Sequence, residues 1–315
     1  MAFGFVFPGQ GSQSVGMLGR LASGASERPI RQTFAEASGV LGYDLWTLVS
    51  EGPAERLNST ECTQPAMLAA AVATFRLWRE RGGAEPAVVA GHSLGEFSAL
   101  VAAEALEFAA AIELVHFRGR IMQAAVPAGS GAMAAILGLE DAEVIESCRE
   151  GARDGGVVEA VNFNAPGQVV IAGERVPVER AIEAAKARGA KRAVILPVSV
   201  PSHSSLMRAA GEQLGQKLAS VPLRAPRLTF VSAVDAQSHT DPEALRRLLV
   251  RQLSSPVRWS ETVRALAGLG LGQIIECGPG KVLTALNRRI ERRPDLACLA
   301  LEEAASLEEA LAATR

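Results

Sequence analysis

A serine lies between two glycines where an apolar run gives way to a helix-forming segment. Residues 87–91 are Ala-Val-Val-Ala-Gly, which is typical of a buried strand, and a helix is predicted from about Leu94. Ser93 is therefore expected in a tight strand-to-helix turn, flanked by Gly91 and Gly95 in the pattern G-x-S-x-G. Such a turn raises the hydroxyl above the sheet edge, and the amides that begin the helix can stabilise a negatively charged oxygen. This context favours a nucleophilic serine over the alternative, a serine that caps a helix.

A serine needs a neighbouring base to act as a nucleophile, and the sequence has four histidines that could supply one. His92 points to the opposite side of the strand, His116 lies on a helix flank, and His239 lies in a polar turn. His203 follows the apolar run 194–198, and the carboxyl ends of parallel strands meet at one edge of a sheet. Although a lone loop histidine is usually a surface residue, elimination and placement favour His203 as the base.

No carboxylate between Ser93 and His203 stands out as the third member of a catalytic triad. Those in this interval, such as Asp141 and Asp154, fall mostly in a predicted separate small domain. A backbone carbonyl or an amide such as that of Gln252 is the alternative partner for the imidazole. A weaker base of this kind suits transfer of an activated thioester better than attack on an amide.

An arginine on a predicted helix is expected to turn partly inward. The helix has an apolar stripe at spacings of three and four residues, formed by Phe108, Ile112, Val115, Gly119 and Met122. At about 100° per residue, Arg118 lies about 60° from the centre of this stripe, whereas Arg120 lies about 140° away and is expected in solvent. An inward arginine is seldom without an anion. A structural salt bridge and a bound substrate anion are about equally favoured by the residues alone.

The elements that position these residues predict an α/β fold with a small insertion. Its core is a mostly parallel sheet with flanking helices, similar to an α/β-hydrolase, in a large catalytic domain of residues 1–126 and 199–315. Residues 127–198 have the predicted order strand–helix–strand–strand–helix–strand, which is that of a ferredoxin-like domain. The large domain is predicted to have strands at 2–7, 87–91, 228–232, 272–277 and 296–301 and helices at 30–41, 45–49, 65–81 with Thr63 as cap, 242–253, 260–268, 280–291 and 306–313. The small domain is predicted to have strands at 131–138, 157–163, 168–173 and 193–198 and helices at 140–151 and 176–188.

Composition limits the function classes. The 315 residues are 48% hydrophobic and 21% charged, with a formal net charge of −2, so bulk nucleic-acid binding is not expected. Four scattered cysteines give neither a zinc spacing nor a disulfide framework, which indicates a reducing compartment. The start of the chain has no basic leader, and no apolar run reaches membrane-spanning length. We therefore expect a cytoplasmic protein without a signal peptide.

Several motifs, in order along nearly the whole chain, closely resemble those of the malonyl-CoA:acyl-carrier-protein transacylase family. They are residues 7–13 (Phe-Pro-Gly-Gln-Gly-Ser-Gln), 91–96 (Gly-His-Ser-Leu-Gly-Glu), 118–120 (Arg-Gly-Arg), 131–135 (Gly-Ala-Met-Ala-Ala), 162–168 (Asn-Phe-Asn-Ala-Pro-Gly-Gln), 201–203 (Pro-Ser-His), 252–259 (Gln-Leu-Ser-Ser-Pro-Val-Arg-Trp) and 278–281 (Gly-Pro-Gly-Lys). One segment departs from the family pattern, since Ser232 and Ala233 stand where relatives commonly have Asn.

The resemblance implies a ping-pong transfer of a malonyl group to the phosphopantetheine thiol of acyl carrier protein in fatty-acid synthesis. Ser93 would become malonylated by malonyl-CoA. His203 would deprotonate it, then protonate the leaving thiolate or activate the carrier thiol. The implied reaction needs no metal and no bound redox cofactor.

The resemblance also implies roles for residues around this pair. The amides of Gln10 and Leu94 would form the oxyanion hole, and Arg118 would hold the malonyl carboxylate through a bidentate pair. Gln252 would orient the histidine through its backbone carbonyl, in place of a triad acid. Gln252 and Asn162 are also assigned to substrate binding.

Malonyl-CoA and acyl carrier protein are the expected partners, with no nucleic acid and no membrane, and we expect a monomer. Because carrier proteins are usually acidic, a basic surface should receive one; the candidates are Lys186, Arg188, Lys191 and Arg192, or Arg288, Arg289, Arg292 and Arg293. Three alternatives remain: a serine hydrolase or thioesterase, an acyltransferase of polyketide assembly, and a non-enzymatic carrier-binding scaffold. The hydrolase would not require an arginine, and the scaffold would lack one of Ser93, His203 and Arg118.

Overall fold

The computed structural model describes residues 2–22, 24–127, 129–198 and 200–314. Its strands are β1 (Phe3–Phe7), β2 (Val88–Gly91), β3 (Gly131–Leu137), β4 (Val158–Ala165), β5 (Gln168–Glu174), β6 (Arg192–Ile195), β7 (Thr229–Val231), β8 (Gln273–Glu276) and β9 (Ala297–Ala300). Its α-helices are α1 (Glu27–Leu41), α2 (Leu45–Glu51), α3 (Ala54–Leu57), α4 (Thr60–Glu80), α5 (Gly95–Ala102), α6 (Phe108–Ala124), α7 (Asp141–Gly151), α8 (Arg175–Ala187), α9 (Arg208–Leu218), α10 (Pro242–Arg251), α11 (Trp259–Gly268), α12 (Val282–Ile290) and α13 (Ala304–Ala313). None of the described helices is long and apolar enough to cross a membrane.

The larger sheet is parallel and has the strand order β7-β2-β1-β8-β9. Its central strand β1 is fully buried, with Phe5 paired to Val89 on one side and to Ile275 on the other. The chain leaves β1 towards β2 on one side and later returns to β8 on the other, so the loops that follow β1 and β2 meet at one edge. This is the edge at which the sequence places the G-x-S-x-G turn.

The smaller sheet is antiparallel and has the order β4-β5-β3-β6. Helices α7 and α8 cover one face through an apolar cluster that includes Val144, Ala181 and Ile182. Together with the chain order, this is the ferredoxin-like arrangement, so the predicted α/β fold with a small ferredoxin-like insertion is confirmed. The domain boundaries at 126/127 and 198/199 stay predictions, and residue 199 lies outside the described residues.

Several element boundaries differ from those predicted. The helix expected from residue 65 begins at Thr60, with Pro65 in its second turn, and the Thr63 hydroxyl donates to the carbonyls of Leu57 and Ser59, so it does not cap the helix. The strand predicted at 193–198 ends at Ile195, so the segment after it is free to line a cavity.

Two helices also differ from the prediction. Helix α9 is not predicted from the sequence, because its glycines and polar residues obscure the apolar positions. The helix expected from residue 280 begins at Val282, where the buried carboxylate of Glu276 accepts hydrogen bonds from the amides of Leu283 and Thr284.

Candidate active site

Ser93 lies in the turn between β2 and α5, as predicted, and its φ of 52° is in the left-handed region. The flanking glycines are required by close packing. A Cβ on Gly91 would lie 2.0 Å from the carbonyl carbon of Gly95, and a Cβ on Gly95 would lie 2.0 Å from the carbonyl oxygen of Phe7. Because no other residue fits either position, the motif fixes both the turn and the contact between α5 and β1.

His203 faces the serine across the sheet edge. Its Nε2 lies 2.7 Å from the Ser93 Oγ, and its Nδ1 lies 2.8 Å from the backbone oxygen of Gln252. A carbonyl oxygen only accepts, so Nδ1 carries the proton and the lone pair of Nε2 points at the serine hydroxyl. The structure thus brings together a serine and a neutral imidazole, oriented by a main-chain carbonyl.

The environment of His203 keeps its imidazole neutral. The side chain is 4% exposed, and burial, followed by the nearby positive charge of Arg118, lowers its pKa to about 3. The carbonyl of Gln252 acts in the opposite direction and stabilises a positive ring. A base with this pKa is unprotonated at neutral pH and can accept the proton of Ser93 when a reaction begins.

Arg118 is 1% exposed, further inside than the helix geometry predicted, whereas Arg120 is exposed as expected. Nη1 of Arg118 donates to Oε1 of Gln64 at 2.9 Å, and Nη2 donates to Oε1 of Gln252 at 2.9 Å. Nη2 also lies 3.4 Å from the Ser93 Oγ. Burial lowers the pKa of Arg118 to about 10, so the side chain stays positive at neutral pH.

The partners of Arg118 orient its charge without neutralising it. Both close partners are neutral amides, and the buried Nε has no hydrogen-bond partner among the described residues. A guanidinium with donors to spare beside a nucleophile is suited to bind an anion. This favours the substrate-anion alternative over a direct structural salt bridge.

A cavity of about 450 Å³ opens at this edge between the two sheets. Six of the predicted site residues line it: Gln10, Ser93, Leu94, Arg118, Asn162 and His203. Gln252 is 2% exposed and lies behind Arg118 and His203, so it supports the site and does not line it. The small domain contributes an apolar wall that includes Met133, Val170 and Val198.

The predicted oxyanion donors lie on the two loops that meet here. Leu94 directly precedes the first residue of α5, and Gln10 lies in the turn after β1. In the hydrogen-bond network of the described chain, neither backbone amide has an acceptor. Two such amides can receive a negative oxygen next to Ser93.

The other three histidines contact groups other than Ser93, although His92 also lines the cavity. Nε2 of His92 lies 2.8 Å from Oδ1 of Asn164, and its ring packs edge-on against Trp259. Nδ1 of His116 contacts the backbone oxygen of Glu61, and Nε2 of His239 lies 3.1 Å from Oδ1 of Asp235. The elimination that selected His203 is consistent with these positions.

Two residues and one side-chain contact of the site could not be predicted from the sequence. Gln64 directly precedes the predicted helix 65–81, where nothing in the local sequence indicates a polar role, and the 91–96 motif contains Glu96 without indicating a function for its side chain. The Gln252 side chain was not expected to contact Arg118. Among the described residues, no group of three or more metal-ligating side chains converges.

Comparison with known proteins places this geometry in a family. Residues 4–312 match the model of the acyl transferase domain. The malonyl CoA-acyl carrier protein transacylase of Escherichia coli (strain K12) is 56% identical over 288 residues, which are 91% of this chain and 92% of the relative. The crystal structure of an acyl carrier protein S-malonyltransferase from Vibrio cholerae is 53% identical, with a TM-score of 0.94 over 98% of this chain and 99% of that chain.

A second solved structure contains a carrier protein. It is a type II PKS acyl-carrier protein in complex with its malonyl-transacylase, which is 52% identical, with a TM-score of 0.96 over 99% of this chain and 100% of that chain. The family resemblance seen in the motifs is thus confirmed. The chain belongs to the malonyl-CoA:acyl-carrier-protein transacylase family of acyltransferases.

Proposed function

We propose that this protein transfers the malonyl group of malonyl-CoA to the phosphopantetheine thiol of acyl carrier protein for fatty-acid synthesis, through a malonyl-Ser93 intermediate. One observation carries the proposal. The Ser93 Oγ lies within hydrogen-bond distance of both a neutral imidazole, His203, and a buried cation, Arg118, in a single cavity. The serine and imidazole are suited to acyl transfer, and the cation is suited to an acyl group that itself carries a carboxylate.

In the first half-reaction Nε2 of His203 accepts the hydroxyl proton as the Ser93 Oγ attacks the thioester carbonyl. The carbonyl electrons move to oxygen, where the amides of Leu94 and Gln10 would stabilise the charge. Collapse of this intermediate breaks the carbon–sulfur bond, and the imidazolium protonates the departing CoA thiolate. The products are CoA and malonyl-Ser93.

The second half-reaction repeats these steps with the carrier. His203 accepts the proton of the phosphopantetheine thiol, whose sulfur attacks the acyl-serine carbonyl, and the same imidazolium returns the proton to the Ser93 Oγ as it leaves. The carbonyl of Gln252 stabilises the imidazolium in both halves. The first half-reaction does not require a triad carboxylate, since its substrate is an activated thioester.

Arg118 would select the acyl group. The spare donors of its guanidinium can pair with the malonyl carboxylate, while the amides of Gln64 and Gln252 hold the side chain in place. Burial strengthens such a pair, because water does not compete for the donors. An acetyl group has no carboxylate and would leave the cation unpaired.

Intact-mass spectrometry after brief exposure to malonyl-CoA, acetyl-CoA or methylmalonyl-CoA tests the proposal. We expect a malonyl adduct that is absent in Ser93→Ala and is discharged when acyl carrier protein is added. If no thioester gives an adduct and a neutral ester is turned over, the protein is a serine hydrolase and the transferase proposal is wrong.

A polyketide carrier is the second candidate acceptor. It is favoured by the similar transacylase whose structure holds a type II PKS acyl-carrier protein. Comparing the discharge rates of malonyl-Ser93 by a fatty-acid carrier and by a polyketide carrier separates the two. The monomeric state, the cytoplasmic location and the lack of a nucleic-acid partner stay predictions.

A further inference from the structure

Glu96 is a buried carboxylate one helical turn after Ser93, and the mechanism above does not use it. The side chain has no exposed surface. Its Oε1 accepts hydrogen bonds from the Ser232 hydroxyl at 2.8 Å and from the amide of Ala233 at 2.6 Å, and its Oε2 accepts one from Nε2 of Gln252. Only Gln252 separates this carboxylate from His203. A buried carboxylate is costly unless hydrogen bonds or a nearby charge compensate for the loss of water.

Gln252 connects this carboxylate to the rest of the site. Its Nε2 donates to Glu96 and, at 3.0 Å, to the backbone oxygen of Ser93, while its Oε1 accepts from Arg118. Its backbone oxygen accepts from His203. One residue thus contacts the nucleophile, the base and the anion-binding arginine, and Glu96 is the charged group that holds its amide.

We propose that Glu96 is a positioning residue: its carboxylate fixes the amide of Gln252 with Oε1 towards Arg118, and thereby maintains the preference for an acyl group that carries a carboxylate. This inference rests on the proposed function. Only an acceptor can face the Nε2 of Gln252, and the ionised carboxylate is an acceptor at both oxygens. The amide between the two charges also keeps Glu96 out of direct contact with Arg118, so the guanidinium stays available to a substrate.

A neutral side chain of the same shape cannot replace the carboxylate. The amide of Ala233 is a fixed donor on one side and Nε2 of Gln252 is a donor on the other. In Glu96→Gln the new NH2 group must face one of these two donors. Either the segment at Ala233 or the amide of Gln252 must therefore move.

The pKa of Glu96 makes its contact with Gln252 sensitive to pH. Burial raises its pKa to about 7, while the hydrogen bonds from Ser232, Ala233 and Gln252 oppose this shift. The charged groups that face it are Arg118 from α6 and Asp235 from the loop after β7. Protonation on Oε2 would direct the new O–H at Nε2 of Gln252, which is itself a donor. The malonyl preference should fall as the pH drops through about 7.

The test compares the rates at which malonyl-CoA and acetyl-CoA acylate Ser93, followed by rapid quenching and intact-mass spectrometry. We expect Glu96→Gln to lower the malonyl rate about tenfold or more and the acetyl rate much less. Glu276→Gln is the matched control. Glu276 is also fully buried, with a pKa raised by burial to about 7, but it contacts Leu283 and Thr284 and not Gln252. It should lower the melting temperature and leave the ratio of the two rates unchanged.

Ser232→Ala provides a second, milder variant that retains the carboxylate. Loss of the Ser232 hydrogen bond raises the pKa of Glu96, so the pH at which the malonyl preference is lost should move upwards. An unchanged midpoint, an unchanged rate ratio in a folded Glu96→Gln, or an equal change of ratio in Glu276→Gln would overturn the inference. A wild-type protein that forms no malonyl adduct would instead overturn the proposed function.

Discussion

Replacing Arg118 by alanine should remove the preference for malonyl over acetyl groups without removing acylation itself. The guanidinium is 1% exposed and lies 3.4 Å from the Ser93 Oγ, so a substrate carboxylate bound to it is shielded from water. Loss of one partner of a buried, hydrogen-bonded ion pair costs about 2–5 kcal/mol, which corresponds to about 30- to 5,000-fold in the rate of acylation at low malonyl-CoA. Acylation by acetyl-CoA, which makes no such pair, should change only a few-fold.

Arg118→Lys separates charge from geometry. Lysine keeps the positive charge, but its single nitrogen cannot contact Gln64, Gln252 and a bidentate carboxylate together. We expect a malonyl rate between those of wild type and Arg118→Ala, with the preference over acetyl partly retained.

The assay is a rapid-quench series with each thioester, with the acyl adduct on Ser93 quantified by intact mass. Arg120→Ala is the control on the same helix, since this arginine is exposed and should leave both rates unchanged. Circular dichroism verifies that each variant is folded. If Arg118→Ala slows acetyl and malonyl acylation equally, the arginine positions Ser93 or His203 and does not bind the carboxylate, and the reasoning is refuted.

Three further predictions concern the base, the carrier surface and the turn. Burial lowers the pKa of His203 below its value in the unfolded chain, so the neutral imidazole contributes fully to stability above about pH 6.5 and this contribution is lost as the pH falls towards 3. Over this range the unfolding free energy of wild type, measured in urea, should fall by up to about 4 kcal/mol more than that of His203→Ala. Lys191 and Arg192 lie at the start of β6, the strand that leads to the cavity-lining residues 196–198. Reversing the charges of both should raise KM for the carrier and leave KM for malonyl-CoA unchanged; an unaltered carrier KM excludes this cluster. Gly95→Ala should reduce the unfolding free energy by several kcal/mol or prevent folding, whereas Gly39→Ala, on an open helix face, should be neutral or stabilising by about 0.5–1 kcal/mol; equal effects would contradict the packing argument.

The placement of Ser93 beside His203 could be predicted because local patterns encode it. The glycines at 91 and 95 fix the turn at Ser93 through short-range sterics, and the edge at which His203 lies follows from the direction of the strands. The helical period predicts that Arg118 turns partly inward, whereas the residue is almost completely buried in the structure. Each of these inferences needs only the neighbouring residues and the handedness of α/β folds.

The amide and carboxylate network around Arg118 could not be predicted in the same way. Gln64, Glu96 and Gln252 come from three elements separated by dozens of residues, and nothing in their local sequence sets the direction of their side chains. The same holds for Ser232, whose difference from the family pattern was visible but whose contact with Glu96 was not. Such contacts depend on tertiary packing, which composition and periodicity do not encode.

The choice of amides as partners for Arg118 has a consequence for selectivity. A protein carboxylate in direct contact with the guanidinium would compete with the substrate carboxylate. Water around the guanidinium would instead weaken the ion pair between the guanidinium and the substrate. Gln64 and Gln252 supply acceptors without charge, so the cation is held in a fixed position and its charge is balanced only at a distance by Glu96. On the proposed function, the substrate carboxylate would complete the charge balance next to Ser93. A neutral acyl group would leave a buried cation without a direct counter-ion, and we expect that electrostatic cost to oppose acetyl transfer at the step where the acyl-enzyme forms.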